Sequence, residues 1–175
     1  QVEAVQPGDA PSRSLYAFNN KLYGVFGENV YQFDTSIVKT QINPVLPLGT
    51  DTGAVGIEAN NGGQLIFVDG QAGYIYNIAG GTFTQITASG FPSSPTSVAF
   101  LDGYFVVTQG ESTQYAISAL NDGTKWDPLD IAQIQAYPGD LVGVSVVNRR
   151  LFFFKTTSTE VWYNQGAADF PFRRD

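Results

Sequence analysis

The chain has 175 residues, a formal net charge of −7 and only 9 basic residues, a balance that argues against a surface for gripping nucleic-acid phosphates. It contains no histidine and no cysteine, which excludes Ser-His and Cys-His nucleophiles, imidazole and thiolate metal sites, and a disulfide framework. Apolar residues make up 43% and include 24 aromatics, which is typical of a β-rich globular protein. No apolar run approaches the roughly 18 residues of a membrane span. The chain begins at Gln1 and lacks methionine, so we expect a processed, truncated or partial chain.

Strand signals begin close to the N-terminus. Val2–Val5 is a short strand-like piece, and the prolines that follow make residues 6–12 a connection. A first group of four strands comes next, in which Asn19-Asn20 predicts a tight hairpin turn because Asn tolerates positive φ. The predicted strands of this group are Ser14–Phe18, Lys21–Phe26, Val30–Asp34 and Ile37–Ile42.

Three further groups follow the same plan. Gly62-Gly63, Asp102-Gly103 and Asn148-Arg149 mark the first hairpin turn of each group. The second group is predicted at Val55–Ala59, Gln64–Val68, Tyr74–Ile78 and Thr82–Thr87. The third is predicted at Ser97–Leu101, Tyr104–Thr108 and Thr113–Ser118, with a poorly defined fourth strand. The last is predicted at Leu141–Val147, Leu151–Lys155 and Thr159–Asn164, and its fourth strand is left open because the chain stops soon after Phe172. Only Leu129–Ala136 suggests a short helical turn.

Two sets of residues repeat in step along these groups. The second-strand residues Leu22, Leu65, Tyr104 and Leu151 are separated by 43, 39 and 47 positions. The third-strand aromatics Tyr31, Tyr76, Tyr115 and Trp162 are separated by 45, 39 and 47 positions, so we expect them to occupy equivalent places. Periods of about 40–50 residues that contain only strands are typical of β-propeller blades.

The second strands favour a propeller over a two-sheet sandwich. They are apolar at successive positions, as in Leu65–Val68 and Leu151–Phe154. Successive side chains on a strand point to opposite faces, so both faces must be buried, as happens between neighbouring blades. The sequence therefore predicts an all-β protein, a β-propeller with four consecutive four-stranded antiparallel blades that is part of a larger propeller. The predicted blades cover residues 13–43, 54–88, 95–131 and 140–175.

The segment Ala119–Trp126 resembles a degenerate Asp-box, the S-x-D-x-G-x-x-W hairpin of sialidase-type propellers. Ala119 stands for the Ser and Asn121 for the Asp, while Gly123 and Trp126 are retained. In those families the box is a structural turn between the third and fourth strands of a blade. Its acidic residues lack the ligand spacing of a calcium loop, so we expect no metal here.

The C-terminal stretch carries the most specific resemblance. The run Thr159–Asn164, followed by Gly166 and Phe170-Pro171-Phe172, resembles a segment of the packaged-DNA stabilisation proteins of short-tailed phages, which are also described as tail hub or nozzle proteins. The residues that carry it are Glu160, Trp162, Tyr163, Asn164, Gly166, Phe170, Pro171 and Phe172. Because those proteins are considerably longer, the resemblance implies a portion of one.

The resemblance implies a virion protein without catalysis, cofactor or metal, made in the cytoplasm of a bacterial host. Such a hub forms a ring of copies below the portal and its adaptor, continues the DNA channel and helps to retain the packaged genome until ejection. DNA would pass by without sequence-specific binding, since an acidic conduit repels phosphates.

Two other classes stay open at this point. One is a carbohydrate-binding or sialidase-like propeller, which an exposed Trp162 beside an aromatic cleft would favour. The other is a propeller for general protein interaction. In every case a partial propeller leaves an unpaired blade face and exposed strand edges. Either Val2–Val5 closes the last blade as its missing outer strand, or another segment or subunit covers it, and we favour the second.

Overall fold

In the computed structural model, which describes residues 10–50 and 53–175, the described residues form sixteen strands and no helix. Four consecutive strands build each of four separate sheets, and neighbouring strands pair antiparallel in sequence order. This confirms the predicted fold class. Val2–Val5 lies outside the described residues.

The strands of each blade are numbered in chain order. Blade 1 contains β1 (Ser12–Phe18), β2 (Lys21–Phe26), β3 (Asn29–Phe33) and β4 (Lys39–Gln41). Blade 2 contains β5 (Gly56–Ala59), β6 (Gln64–Val68), β7 (Gly73–Asn77) and β8 (Thr82–Gln85). Blade 3 contains β9 (Pro95–Leu101), β10 (Tyr104–Gln109), β11 (Gln114–Ile117) and β12 (Ile131–Gln133). Blade 4 contains β13 (Leu141–Val147), β14 (Arg150–Lys155), β15 (Thr159–Asn164) and β16 (Phe172–Arg174).

The first hairpin of each blade turns where the sequence predicts it. In blades 1 and 4 the two turn residues all have positive φ, namely Asn19 (49°), Asn20 (58°), Asn148 (49°) and Arg149 (59°). In blade 3 the turn residues are Asp102 (φ 50°) and Gly103 (φ 94°). Two consecutive left-handed residues match the twist of a hairpin, which explains the preference for Asn, Asp and Gly.

One expectation about the outer strands was wrong. Residues 129–136 form no helical turn; Ile131–Gln133 is instead the fourth strand of blade 3 and pairs with β11. Leu129 is 87% exposed, so this segment has no apolar helical stripe to bury, and pairing with the sheet edge satisfies its backbone. The fourth strand of the last blade, which the sequence left open, is β16, and it pairs with β15.

The four repeated aromatics do not occupy equivalent places. Counted from the hairpin turn, Tyr76 and Trp162 each pair with the second residue of the preceding strand, Leu65 and Leu151. Tyr31 instead pairs with Gly24, and Tyr115 with Thr108. Tyr104 is also out of step with Leu65 and Leu151, because it is the first residue of β10 and Phe105 is the second. Spacing along the chain cannot detect these shifts, because turns of different length offset the register.

The core is divided among the contacts between successive blades. Three apolar clusters lie between blades 1 and 2, blades 2 and 3, and blades 3 and 4. In the second strands of blades 2 and 3, residues 65–68 of β6 and 105–107 of β10 are fully buried on both faces of their sheets. In blades 1 and 4 one face stays open, with Leu22 39% and Phe154 43% exposed. The described residues thus form an open arc of four blades.

Candidate functional site at the junction of blades 3 and 4

The C-terminal motif lies where blade 4 packs on blade 3. Thr159–Asn164 is strand β15, and Phe172 begins β16. Alternation along β15 directs Glu160 and Trp162 towards blade 3 and Tyr163 towards the open face. Phe170, Pro171 and Phe172 close the outer end of the junction, where Pro171 and Phe172 are buried. The motif therefore contributes mainly to one interface between blades.

Aromatic side chains fill the middle of this junction. The ring of Tyr115 from blade 3 lies 4.5 Å from Phe153, 5.7 Å from Trp162 and 5.9 Å from Phe170. Its hydroxyl is buried without a hydrogen-bond partner among the described residues, and burial raises the pKa of Tyr115 well above its usual range. Trp162 is half-buried, and its ring meets Phe153 edge-on at 6.1 Å. Because these rings pack against each other, Trp162 is not the solvent-exposed aromatic side chain that sugar recognition would require.

A buried ion pair holds the connection between the two blades. Lys155 Nζ lies 3.7 Å from Glu160 Oε1, and both side chains are almost fully buried. Lys155 also donates to the carbonyl oxygens of Ile134 (2.9 Å) and Tyr137, while Glu160 Oε1 accepts from the Ala136 amide at 3.1 Å. A buried charge that loses its partner destabilises a protein by roughly 3–5 kcal/mol. Glu160 is thus best explained as a structural residue.

Hydrogen bonds join the first hairpin turn of blade 3 to blade 4 at the other end of the junction. Asp102 accepts hydrogen bonds from the Arg149 guanidinium at 2.8 Å and from Asn164 Nδ2 at 3.2 Å. Asn164 Oδ1 in turn accepts from the Gly166 amide at 2.8 Å, in a turn where Gly166 has a φ of 71°. Asn164 and Gly166 therefore shape the β15–β16 loop that brings Phe170 over the aromatic cluster.

The Asp-box-like turn seals the neighbouring junction, between blades 2 and 3. It connects β11 to β12, as the resemblance implies, and Trp126 is 4% exposed with Nε1 donating to Gly123 O at 2.8 Å. The Trp126 ring meets Phe91 edge-on at 4.8 Å. The Gly123 amide donates to Gln64 Oε1 of blade 2 at 2.8 Å. Asp122 accepts from the Thr124 amide and hydroxyl, and chiefly the hydroxyl bond lowers the pKa of Asp122 to about 2.

The two remaining aromatics of the repeat have different surroundings. Tyr76 is buried between blades 1 and 2, where its ring lies 6.4 Å from Tyr23. Tyr31 is half-buried on the open face of blade 1, between Phe26 and the Lys39 ammonium, which lies 5.0 Å above its ring.

Sequence reasoning missed the buried charges that hold the loops. Arg13 is 7% exposed and donates to the carbonyl oxygens of Gly27, Gly49 and Gly53 at 2.7–3.0 Å, which fixes the connection from blade 1 to blade 2. Lys155 plays the same part in blade 4. For Lys155 the available signal was alternation, which places it on the buried face with Leu151 and Phe153. Arg13 lies at an irregularity in the pairing of β1, where alternation does not predict its burial. In a single sequence such a charge is hard to distinguish from a solvated one.

The chemistry of these residues is packing and loop fixation. Among residues 10–50 and 53–175, no group of three or more His, Cys, Asp or Glu side chains is placed to hold a metal ion. None of the described residues forms a helix long and apolar enough to cross a membrane. Consecutive antiparallel blades with junctions filled by aromatic and paired side chains define the chain as part of a structural β-propeller.

Comparison with known proteins supports this class and identifies the family. The chain superposes on the computationally designed Ika4 protein with a TM-score of 0.62 and 10% identity, covering 89% of this chain and 92% of Ika4. It superposes on Hsv2 of Kluyvelomyces marxianus with a TM-score of 0.63 and 13% identity, covering 89% of this chain and 50% of Hsv2. For the designed Ika8 protein the TM-score is 0.58 at 11% identity, covering 88% of this chain and 46% of Ika8. The chain thus spans about half the length of some of these propellers. No curated protein matches it by sequence.

The chain belongs to the phage stabilisation family described as bacteriophage P22 Gp10, beta-propeller, whose sequence profile matches residues 2–175. It is accordingly a phage structural protein with a β-propeller fold. This confirms the resemblance first noted in the C-terminal motif.

Proposed function

We propose that this chain works by assembly, as part of a tail hub that forms a ring of copies below the portal and its adaptor. In that position it continues the DNA channel and helps to retain the packaged genome until ejection. The observation that carries the proposal is the family match over residues 2–175. Blades with short outer strands suit such a ring, because their end loops are free to contact neighbours.

The net charge of the chain and the ion pairs of its basic residues support a protein that does not bind DNA phosphates. The chain is acidic, with a net charge of −7. Three cations of blade 4 form ion pairs: Arg149 with Asp102, Arg150 with Asp175, and Lys155 with Glu160. A DNA-binding surface needs clustered cationic side chains that are free to contact the phosphates of the DNA. We therefore propose that DNA passes without sequence-specific binding and that the protein lacks enzymatic activity.

The motif residues have a structural part in this proposal. Tyr76, Tyr115, Trp126, Trp162, Phe170, Pro171 and Phe172 keep successive blades together, while Glu160, Asn164 and Gly166 fix the loops at the junction of blades 3 and 4. Tyr31 and Tyr163 lie on the open faces of the arc. Those faces must be covered in the assembled protein by another segment or subunit.

Assembly of the full-length protein with purified portal–adaptor complexes tests the proposal. We expect light scattering and sedimentation to show a ring that binds the adaptor end of the complex. We also expect particles that lack the protein to package DNA and then lose it, measured as nuclease-sensitive DNA outside heads. A full-length protein that stays monomeric, ignores the portal–adaptor complex and hydrolyses a fluorogenic glycoside would contradict it.

A further inference from the structure

The first hairpin turn of blade 2 contains a sequence that is prone to spontaneous deamidation. Asn61-Gly62 is the only Asn-Gly pair in the chain, and both residues are exposed. In such a pair the main-chain nitrogen of Gly attacks the side-chain amide carbon of Asn, ammonia leaves, and a five-membered succinimide ring forms. Water then opens the ring to aspartate or isoaspartate. Glycine favours the attack because it has no side chain in the way and its backbone rotates freely.

In the folded chain the attacking nitrogen is held in a hydrogen bond. The Gly62 amide donates to Asn60 Oδ1 at 2.9 Å. The same oxygen accepts from the Gln64 amide at 2.9 Å, so the Asn60 side chain closes the turn from within. To attack Asn61, the Gly62 nitrogen must leave this bond, lose its proton and rotate towards the Asn61 side chain. The bond to Asn60 therefore opposes the first step of the reaction.

Asn60 is held in place by blade 3. Its side chain is 1% exposed, and Nδ2 donates to Gln64 Oε1 at 2.8 Å and to the carbonyl oxygen of Asn121 in blade 3 at 3.3 Å. Gln64 Oε1 also accepts from the Gly123 amide of blade 3 at 2.8 Å. Buried polar groups keep their hydrogen-bond partners, because an unpaired one is costly. Asn60 therefore stays bonded to Gly62 while blades 2 and 3 are packed together.

We propose that Asn61 is a deamidation site whose reactivity is controlled by the fold, because Asn60 delays the reaction for as long as blade 3 is packed on blade 2. Opening of this junction releases the Gly62 amide and allows the succinimide to form. Isoaspartate adds one main-chain carbon to the turn, and loop length selects the turn type. The altered turn no longer presents Asn60 to blade 3, so the modification prevents the junction from closing as before. This inference does not depend on the proposed function.

The rate of acid formation at residue 61 tests the proposal. Peptide mapping by mass spectrometry measures it during incubation in mildly alkaline buffer. We expect the folded, unsubstituted chain to react more slowly than the same chain unfolded in urea. Asn60→Ala should accelerate the reaction of the folded chain by roughly 2- to 10-fold, which is the rate ratio equivalent to one hydrogen bond. In urea the same substitution should have little effect, because the turn is not formed there.

Three further variants identify the part of the turn that is responsible. Asn60→Asp keeps an oxygen that accepts from the Gly62 amide, so its rate should stay close to that of the unsubstituted chain. Gln64→Ala removes the side chain that links Asn60 to blade 3 and should accelerate the reaction. Gly62→Ala should slow it in urea, since a side chain then obstructs the attack. In the folded chain that Cβ would lie no closer than 3.4 Å to a neighbour.

Other outcomes would overturn the inference. They are equal rates in the folded and unfolded chain, an Asn60→Ala variant that reacts like the unsubstituted chain, or an Asn60→Asp variant that reacts as fast as Asn60→Ala. Circular dichroism melts establish that each variant is folded. A rate in Asn60→Ala that rises only in proportion to the unfolded fraction, across a series of urea concentrations, would show loss of the fold and not loss of the bond.

Discussion

At the scale of single residues, aromatic rings and buried charges hold the blades together. Trp162 is the clearest case, since its ring contacts both Tyr115 and Phe153 across the junction of blades 3 and 4. Its indole nitrogen is buried and donates to no described residue. The contribution of Trp162 is therefore ring packing and not hydrogen bonding.

We expect Trp162→Ala to lower the free energy of unfolding by about 3 kcal/mol, because it removes a large half-buried ring. Trp162→Phe should cost clearly less, since no hydrogen bond is lost and part of the packing remains. Urea denaturation followed by circular dichroism measures both values. Equal losses for the two variants would show that the indole group has a role beyond packing.

Asp122 offers a prediction about pH. Its pKa lies near 2, chiefly because the Thr124 hydroxyl bonds its carboxylate, so the folded state holds the ionised form more strongly than the unfolded chain does. This stabilisation is present above pH 4 and is lost as the pH falls towards 2. We expect Asp122→Asn to lower stability at pH 7 by about 1 kcal/mol, allowing for solvent screening at a partly exposed site.

The difference in the free energy of unfolding between Asp122→Asn and the unsubstituted chain should shrink as the pH falls from 4 to 2. Urea titrations at several pH values will measure it. Thr124→Val is the matched variant, because it removes the hydroxyl donor and keeps the carboxylate. It should reproduce much of the effect. A difference that stays constant down to pH 2 would contradict this account.

At the scale of elements, each blade depends on turns that fit against its neighbour. The Asp-box-like turn packs Gly123 directly on blades 2 and 3. A Cβ at this glycine would lie 2.6 Å from Ile75 Cδ1 and 2.8 Å from the Phe105 ring. Both neighbours belong to the buried cluster between these blades, so neither can move freely.

We therefore expect Gly123→Ala to destabilise the protein by roughly 1–3 kcal/mol through overpacking. Gly80→Ala is the control, since its Cβ would meet nothing closer than 3.8 Å and its φ is not positive. That variant should be neutral or slightly stabilising, because it reduces the entropy of the unfolded chain. Thermal melts of the pair will test this, and equal effects would disprove the close packing of the turn.

At the scale of the whole molecule, stability should be distributed unevenly along the arc. Blades 2 and 3 are covered on both faces, whereas blades 1 and 4 each have an open face. In a chain of stacked units each blade is stabilised mainly by its neighbours, so the end blades have fewer stabilising contacts. Local opening should therefore begin at the ends.

Native-state hydrogen exchange will measure this directly. We expect the slowest amide exchange in β6 and β10, and faster exchange in β2 and β14, when the chain is monomeric. Uniform protection across the four middle strands of the monomer would show that the arc unfolds as a single cooperative unit.

Much of the fold could be predicted from the sequence, because it depends on local rules. Paired turn residues such as Asn19-Asn20 and Asp102-Gly103 determine where hairpins form, since few residue types adopt positive φ at low cost. Continuous apolar runs such as Leu65–Val68 indicate burial on both faces. The C-terminal motif also indicated the family, which the match over residues 2–175 confirms.

Only the tertiary structure decided the register and the role of the buried polar groups. Tyr31 and Tyr115 fall out of step with Tyr76 and Trp162 because turn lengths shift strand pairing, which spacing along the chain does not record. Arg13, Lys155 and Glu160 are buried because carbonyl and amide groups from distant loops surround them. Such partners meet only after the blades have packed, so the sequence determined the blades and the packing between them determined the junctions.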